Sequence, residues 1–334
     1  MDSVKVWLYA IASMLLAAAL APWLYNLGRA LAEVTDGKQT NGIVEWVAEG
    51  CRKAGLAIYF KWAWGIAGAV LAVPFIGWLK VGRGVGNRTA AWSVRVPGGW
   101  RVNDGGQRLR FRLSGGWDGL SGFGLSVALV AVLGAAVLLI GAFRWSGEPV
   151  GLAGTAGRML PWAVGLAVVN EVVFRGFAMG VFLRAVGVPA AITMAALLSA
   201  AVGFFGPLAG SVVVDPEGSA AGFHLLGLLA KRLADPWVLT AGFLPLFALG
   251  GLLGYARWRT ASLWLPVGLH AGWIFSTRLF QELAKPLHLP APFARALVGD
   301  TLQHGWIPLV ALVVAGIVVH FIIPVQEDFE YGGD

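Results

Sequence analysis

The chain has 334 residues, of which 57% are hydrophobic and 13% charged, and its mean hydropathy is +0.72, whereas soluble domains carry roughly 25% charged residues. This balance excludes a soluble globular enzyme and indicates an integral, multi-pass protein of the lipid bilayer, expected in the cell (inner) membrane. The net charge of +7 sits on basic residues beside apolar runs and no nucleic-acid motif accompanies it, so it points to anionic lipid headgroups and not to nucleic acid; the single Cys51 excludes a disulfide framework and a cysteine-based zinc site.

A crossing needs ~20 apolar residues, and the chain offers candidate spans at 6–26, 62–79, 120–143, 159–183, 186–208, 236–256, 260–277 and 305–323. The pattern predicts an all-α fold, a polytopic membrane helix bundle of about eight transmembrane helices. The first span has an alternative reading as a secretory signal, because "LAAALA" at 16–21 offers small residues for cleavage. Its uncharged run from Val6 to Gly28 is longer than the usual ~7–15-residue signal core, which favours a membrane helix.

Between the second and third spans lies the longest polar stretch, 80–118, rich in arginine. Its "SVRV", "GWRV" and "RLRFRL" segments alternate apolar and polar residues around Gly-Gly turns, the pattern of a small extramembrane β-hairpin-like loop. The positive-inside rule places this loop in the cytoplasm, and an even number of spans puts both termini there as well. Three regions follow: N-terminal membrane helices and basic loop at 1–118, a core at 119–280, and a C-terminal loop, last helix and acidic tail at 281–334.

The fourth span alone carries both an acid and a base, in "NEVVFRG" at 170–176. An ionised side chain at mid-membrane costs at least ~2.5–3.5 kcal/mol on insertion scales, so Glu171 and Arg175 are expected to face the bundle interior and find partners. Glu four residues before Arg is the favourable helical order, and a purely structural ion pair is the simplest account. The seventh span, "TASLWLPVGLHAGWIF", is interrupted by His270, which is either a packing histidine or a further wall of the same polar site. His320 has no nearby polar companion in sequence and reads as structural or interfacial. His288 and His304 lie near helix ends, and His224 opens an interfacial amphipathic turn ahead of Lys231 and Arg232.

"NEVVFRG" resembles the first motif of the CAAX prenyl protease and bacteriocin-processing (CPBP) family of intramembrane proteases, an EExxxR motif often continuing as FRG. "RTASLWLPVGLHAGWIF" at 259–275 resembles its third motif, in which a histidine is followed four residues later by Asn or Asp. The resemblance covers roughly 119–280 and implies a water-activating base at the first acid of the pair. That place is taken here by Asn170, whose amide can orient water but cannot take its proton. Glu171 and Arg175 match the second acid and the arginine, both mainly architectural. The second motif, a Phe followed four residues later by His, finds no histidine in 205–209: with Phe204 or Phe205 in the Phe place, the histidine falls on Leu208 or Ala209. In the third motif His270 matches, but Ile274 stands where the oxyanion-stabilising amide would be, a loss on the order of 3–4 kcal/mol of transition-state stabilisation.

The resemblance therefore implies a catalytically degenerate member, a pseudoenzyme, with a polar intramembrane cavity. An active CAAX-type endopeptidase that processes prenylated or membrane peptides through Glu171 and His270 is the first alternative, and a transporter or channel the second. No cofactor is expected. No metal is expected either, because a catalytic zinc wants about three protein ligands and Glu171 and His270 are the only candidates.

Overall fold

The computed structural model describes residues 2–37, 41–79, 115–146, 151–204, 213, 215–287, 296–299 and 301–323. The chain divides into two compact units, one of 1–84 with 205–235 and the other of 85–204 with 236–334.

The first unit is built from α1 (Asp2–Val34), α2 (Gly42–Lys53), α3 (Leu56–Trp78) and α8 (Ala221–Lys231). Between helices in lipid there is little hydrophobic driving force, so close van der Waals packing of small residues must hold them. The α1 face supplies it: Ala17, Ala18 and Ala21 are fully buried in one cluster with Phe60, Ala63 and Ala67 of α3. α8 approaches α1 so closely that a Cβ on Gly222 would stand 1.9 Å from the Ala18 carbonyl oxygen. Polar side chains add cross-links, with Tyr9 Oη donating to Gly68 O at 2.6 Å and Trp64 Nε1 to Ser13 Oγ at 3.1 Å. α2 is short and amphipathic, and Asn41 caps it by accepting from the backbone N–H groups of Ile43 and Val44.

The second unit contains α4 (Gly115–Leu139), α5 (Leu152–Glu171), a π-helical segment Val172–Ala178 that runs on into α6 (Met179–Ala185), and α7 (Val188–Phe204). After the first unit's α8 the chain returns to it as one short turn α9 (Pro236–Val238), a second π segment Leu239–Phe243, α10 (Leu244–Thr260), α11 (Trp264–Leu283) and α12 (Trp306–Ile322). α4 and α11 pack almost backbone to backbone. A Cβ on Gly268 would lie 2.0 Å from Gly119 O and one on Gly272 2.6 Å from Phe123 O, and Ser126 Oγ donates to Leu269 O at 2.7 Å. Two short strands, β1 (Phe143–Trp145) and β2 (Ala284–Pro286), pair antiparallel with Arg144 opposite Lys285 and close the ends of α4 and α11. Leu253, Leu265, Leu269, Trp273 and Leu312 fill the core between α4, α10, α11 and α12.

Each predicted span coincides with a helix, and the protein is an all-α membrane bundle. Among the described residues, five helical stretches are long and apolar enough to cross a bilayer: Asp2–Val34, Leu56–Trp78, Gly116–Leu139, Ala153–Leu183 and Pro236–Thr260. Val188–Phe204 and Trp306–Ile322 are shorter apolar helices. α11 is diluted by His270, Ser276, Thr277, Arg278, Gln281 and Glu282. The hairpin expected in the basic loop falls on 80–114, outside the described residues, and 115–118 are already the first turn of α4. The segment around His224 is a full helix, α8, and not the single turn expected. Its Leu225 and Leu229 are buried against α1, which gives it a packed face that a turn would lack.

Candidate intramembrane site

Asn170 and Glu171 end α5, and Arg175 follows within the π segment. In a π-helix the bonds run from i to i+5 and the turn widens, so residues four apart lie more nearly in line than on an α-helix; such bulges are common at functional sites. Glu171 is 0% and Arg175 2% exposed, and Arg175 Nη1 meets Glu171 Oε1 at 3.2 Å. A buried guanidinium stays charged, so this carboxylate is its necessary counter-ion.

The remaining partners come from other helices. Arg175 Nη2 donates to the Gly250 carbonyl oxygen on α10 at 3.0 Å and to Ser199 Oγ on α7 at 3.3 Å. Glycine at 250 makes this possible, because a Cβ there would be 2.8 Å from Ser199 Oγ and 2.9 Å from Ala196 Cα. On the other side His270 of α11 brings Nδ1 to 2.6 Å from Glu171 Oε1. The ion pair thus ties α5 to α7, α10 and α11, as burial of both charges requires. With Nδ1–H donated to the carboxylate, Nε2 is the ring nitrogen left for other partners, and the ring is 15% exposed. Glu171 Oε2 and Arg175 Nε are buried and meet no hydrogen-bond partner among the described residues, so the cluster keeps one acceptor and one donor in reserve.

The structure brings Glu171, Arg175 and His270 together and leaves the other two expected positions aside. Asn170 is half-buried, and its Nδ2 donates back to Leu166 O on its own helix at 2.8 Å. Ile274 is 7% exposed and packs in an apolar cluster with Ala163, Ala167 and Ala271, flanked by Phe123 and Phe275. It fills the α5–α11 contact one turn beyond His270.

Of the other histidines, His224 is exposed on α8 and His304 Nδ1 lies 3.0 Å from Thr301 Oγ1. His288 and the 205–209 stretch lie outside the described residues. Phe204 is described and packs edge-to-face on Phe243. His320, read from the sequence as structural or interfacial, has Nδ1 2.7 Å from Tyr255 Oη and 3.3 Å from Arg259 Nη1. Those partners stand on α10, more than sixty residues away, where no local pattern could reveal them. Ser199 and Gly250 are the site residues that sequence reasoning did not assign. Ser199 is one small polar residue in an apolar helix, and Gly250 contributes only its carbonyl, so neither leaves a distinctive signal. Among the described residues no group of three or more His, Cys, Asp or Glu side chains could hold a metal ion.

Residues 152–276 match the family model described as Rce1-like, type II CAAX prenyl endopeptidase. That segment holds Asn170, Glu171, Arg175, Ser199, Gly250, His270 and Ile274. No curated protein and no solved structure matches the chain.

Proposed function

Because residues 152–276 match the Rce1-like family model, we propose that this integral membrane protein is a catalytically degenerate member of the CPBP family that its motifs resemble. It keeps the Glu171–Arg175–His270 cluster as the floor of a polar intramembrane site that receives prenylated or membrane peptides without cutting them. The observation that carries this is the fate of Asn170. Peptide hydrolysis needs a base to deprotonate water, and Asn170 supplies an amide that is engaged with Leu166 O. Ile274 supports the same conclusion, since an aliphatic group buried among alanines can donate nothing to an oxyanion. The 119–280 region is the protease-like core in this proposal, and the cell (inner) membrane its location.

One observation favours the active alternative. The 2.6 Å contact of Glu171 with His270 Nδ1 is the kind of carboxylate–imidazole contact that orients a general base. The decisive experiment incubates the purified, membrane-reconstituted protein with prenylated CAAX peptides and with unprenylated membrane peptides, and follows cleavage by mass spectrometry. No His270-dependent product is expected. Turnover by the unmodified protein that is abolished by His270→Ala or Glu171→Gln would replace this proposal with an active endopeptidase.

A further inference from the structure

α10 and α12 run side by side in parallel. Just before them, the Gly305 N–H donates to Ala241 O of the π segment at 2.7 Å, and at their far ends Arg259 Nε donates to Ile323 O, just past α12. Between these two tethers lies a groove of about 990 Å³. Its walls are apolar from Leu244 and Leu309 at one end up to a polar cluster of Tyr255, Arg259 and His320 at the other. From Leu244 to Arg259 the helix rises about 22 Å at ~1.5 Å per residue, longer than the roughly 15 Å that one leaflet contributes to a ~30 Å hydrocarbon core.

Two glycines make the groove. Gly251 on α10 and Gly316 on α12 line it, and a Cβ built on either meets nothing within 4 Å. They differ from Gly250, Gly268 and Gly272, whose missing side chains are filled by a neighbouring helix. The space over Gly251 and Gly316 is left open along the groove.

The polar end is cationic. Arg259 Nη1 donates to Tyr255 Oη at 2.6 Å, and Tyr255 in turn meets His320. No Asp or Glu among the described residues lies within ion-pair distance of Arg259. Nη2 of Arg259 makes no hydrogen bond among them. Arg259 closes a membrane-spanning stretch that ends at Thr260, with Trp258 beside it in the position of an interfacial aromatic, so the cation stands at headgroup level. A guanidinium is suited to phosphate oxygens, which it binds through charge-assisted bonds.

We propose that the α10–α12 groove is a binding site for an anionic phospholipid, with the phosphate held by Arg259, Tyr255 and His320 and one acyl chain laid over Gly251 and Gly316. The site is separate from the Glu171 cluster and independent of whether that cluster cuts peptides. Its occupant is a lipid and not a second protein because an apolar groove that ends in a single cationic cluster matches one acyl chain and one headgroup.

The test is native mass spectrometry of the full chain released from bilayers of equal parts phosphatidylglycerol and phosphatidylcholine. Both lipids carry the phosphate, but choline adds a cation that the Arg259 guanidinium repels, so the unmodified protein should retain one phosphatidylglycerol in preference to phosphatidylcholine by roughly tenfold. Arg259→Gln should abolish the preference and Arg259→Lys should restore part of it. Gly316→Leu, which fills the groove without touching the polar end, should remove the retained lipid while leaving the fold intact, because the space it enters is open. Equal retention of the two lipids, or a preference unchanged by Arg259→Gln and Gly316→Leu, would overturn the proposal.

Discussion

Glu171 and His270 lie 99 positions apart in the chain and meet at 2.6 Å between Oε1 and Nδ1. On its other side the same carboxylate oxygen faces Arg175 Nη1 at 3.2 Å. One oxygen therefore serves a cation and an imidazole at once, and it joins the end of α5 to the middle of α11. The same two helices also meet through the apolar cluster of Ala163, Ala167, Ala271 and Ile274 and through the Arg278 guanidinium, which lies 4.6 Å over the Trp162 ring.

Removing that carboxylate should be costly. Glu171→Leu leaves the Arg175 guanidinium buried without a counter-ion among the described residues, its hydrogen bonds there reduced to Gly250 O and Ser199 Oγ. Breaking a buried pair in this way typically costs about 3–5 kcal/mol. The double change Glu171→Leu, Arg175→Leu removes both charges and should destabilise by less than the sum of the single changes. Unfolding monitored in detergent for the four proteins of the cycle provides the measurement. Strict additivity would mean that the two groups do not depend on each other.

Much of this cluster is legible in the sequence. An acid and a base four apart in an apolar span must face inward because lipid offers them nothing, and His270 is the polar interruption of another span. What is not legible depends on backbone geometry or on distant chain. The π segment at Val172–Ala178 has no residue signature, since "VVFRGFA" would serve equally in an α-helix. Gly250 acts through a carbonyl that any residue carries, and only the close approach of α7 shows why a side chain is excluded there. The polar setting of His320 was hidden for the same reason, because its partners belong to a helix whose register against α12 is fixed by packing. α8 escaped as a complete helix because its eleven residues are too few to read as a span.

The glycines of the second unit should divide into two classes under mutation. Gly268→Ala and Gly272→Ala would place a methyl 2.0 Å and 2.6 Å from the backbone oxygens of α4. Neither backbone can yield without separating the helices, so a loss of about 1–3 kcal/mol or more is expected, as for overpacked cores. Gly251→Ala and Gly316→Ala enter open space and should be neutral or slightly stabilising, since alanine is the better helix former by up to ~1 kcal/mol. Melting temperatures of the four variants would separate the classes, and equal effects would contradict the packing of α4 on α11.

The basic loop is expected to set the orientation in the membrane. Its density of arginine between 80 and 114 should hold it in the cytoplasm, and the even number of spans that follow should bring the C-terminal tail to the same side. Reporter fusions at residues 100 and 330 should therefore report one compartment. Opposite compartments would require one of the shorter helices, α7 or α12, or the diluted α11, not to cross.

Restoring an acid at 170 should not restore cleavage. In Asn170→Glu the new carboxylate replaces an amide that donates to Leu166 O at 2.8 Å, and an ionised carboxylate cannot donate there, so it must turn elsewhere and leave that carbonyl with one partner fewer. It also stands next in the chain to Glu171, where a second negative charge is disfavoured in a poorly solvated site. Even a correctly placed base would act alone, because Ile274 offers no donor to an oxyanion and each such donor contributes about 10²–10³ in rate. Asn170→Glu is therefore expected to remain without measurable turnover of prenylated peptides. Adding Ile274→Asn puts an amide among Ala163, Ala167 and Phe123, where an unsatisfied polar group costs about 1–3 kcal/mol, so the double variant should melt lower before it gains any activity. Single-turnover assays on both variants, read beside their melting temperatures, measure the two effects separately. Robust cleavage by Asn170→Glu alone would show that the oxyanion is held by groups other than the position of Ile274, and that the missing base was the one lesion separating this protein from an active protease.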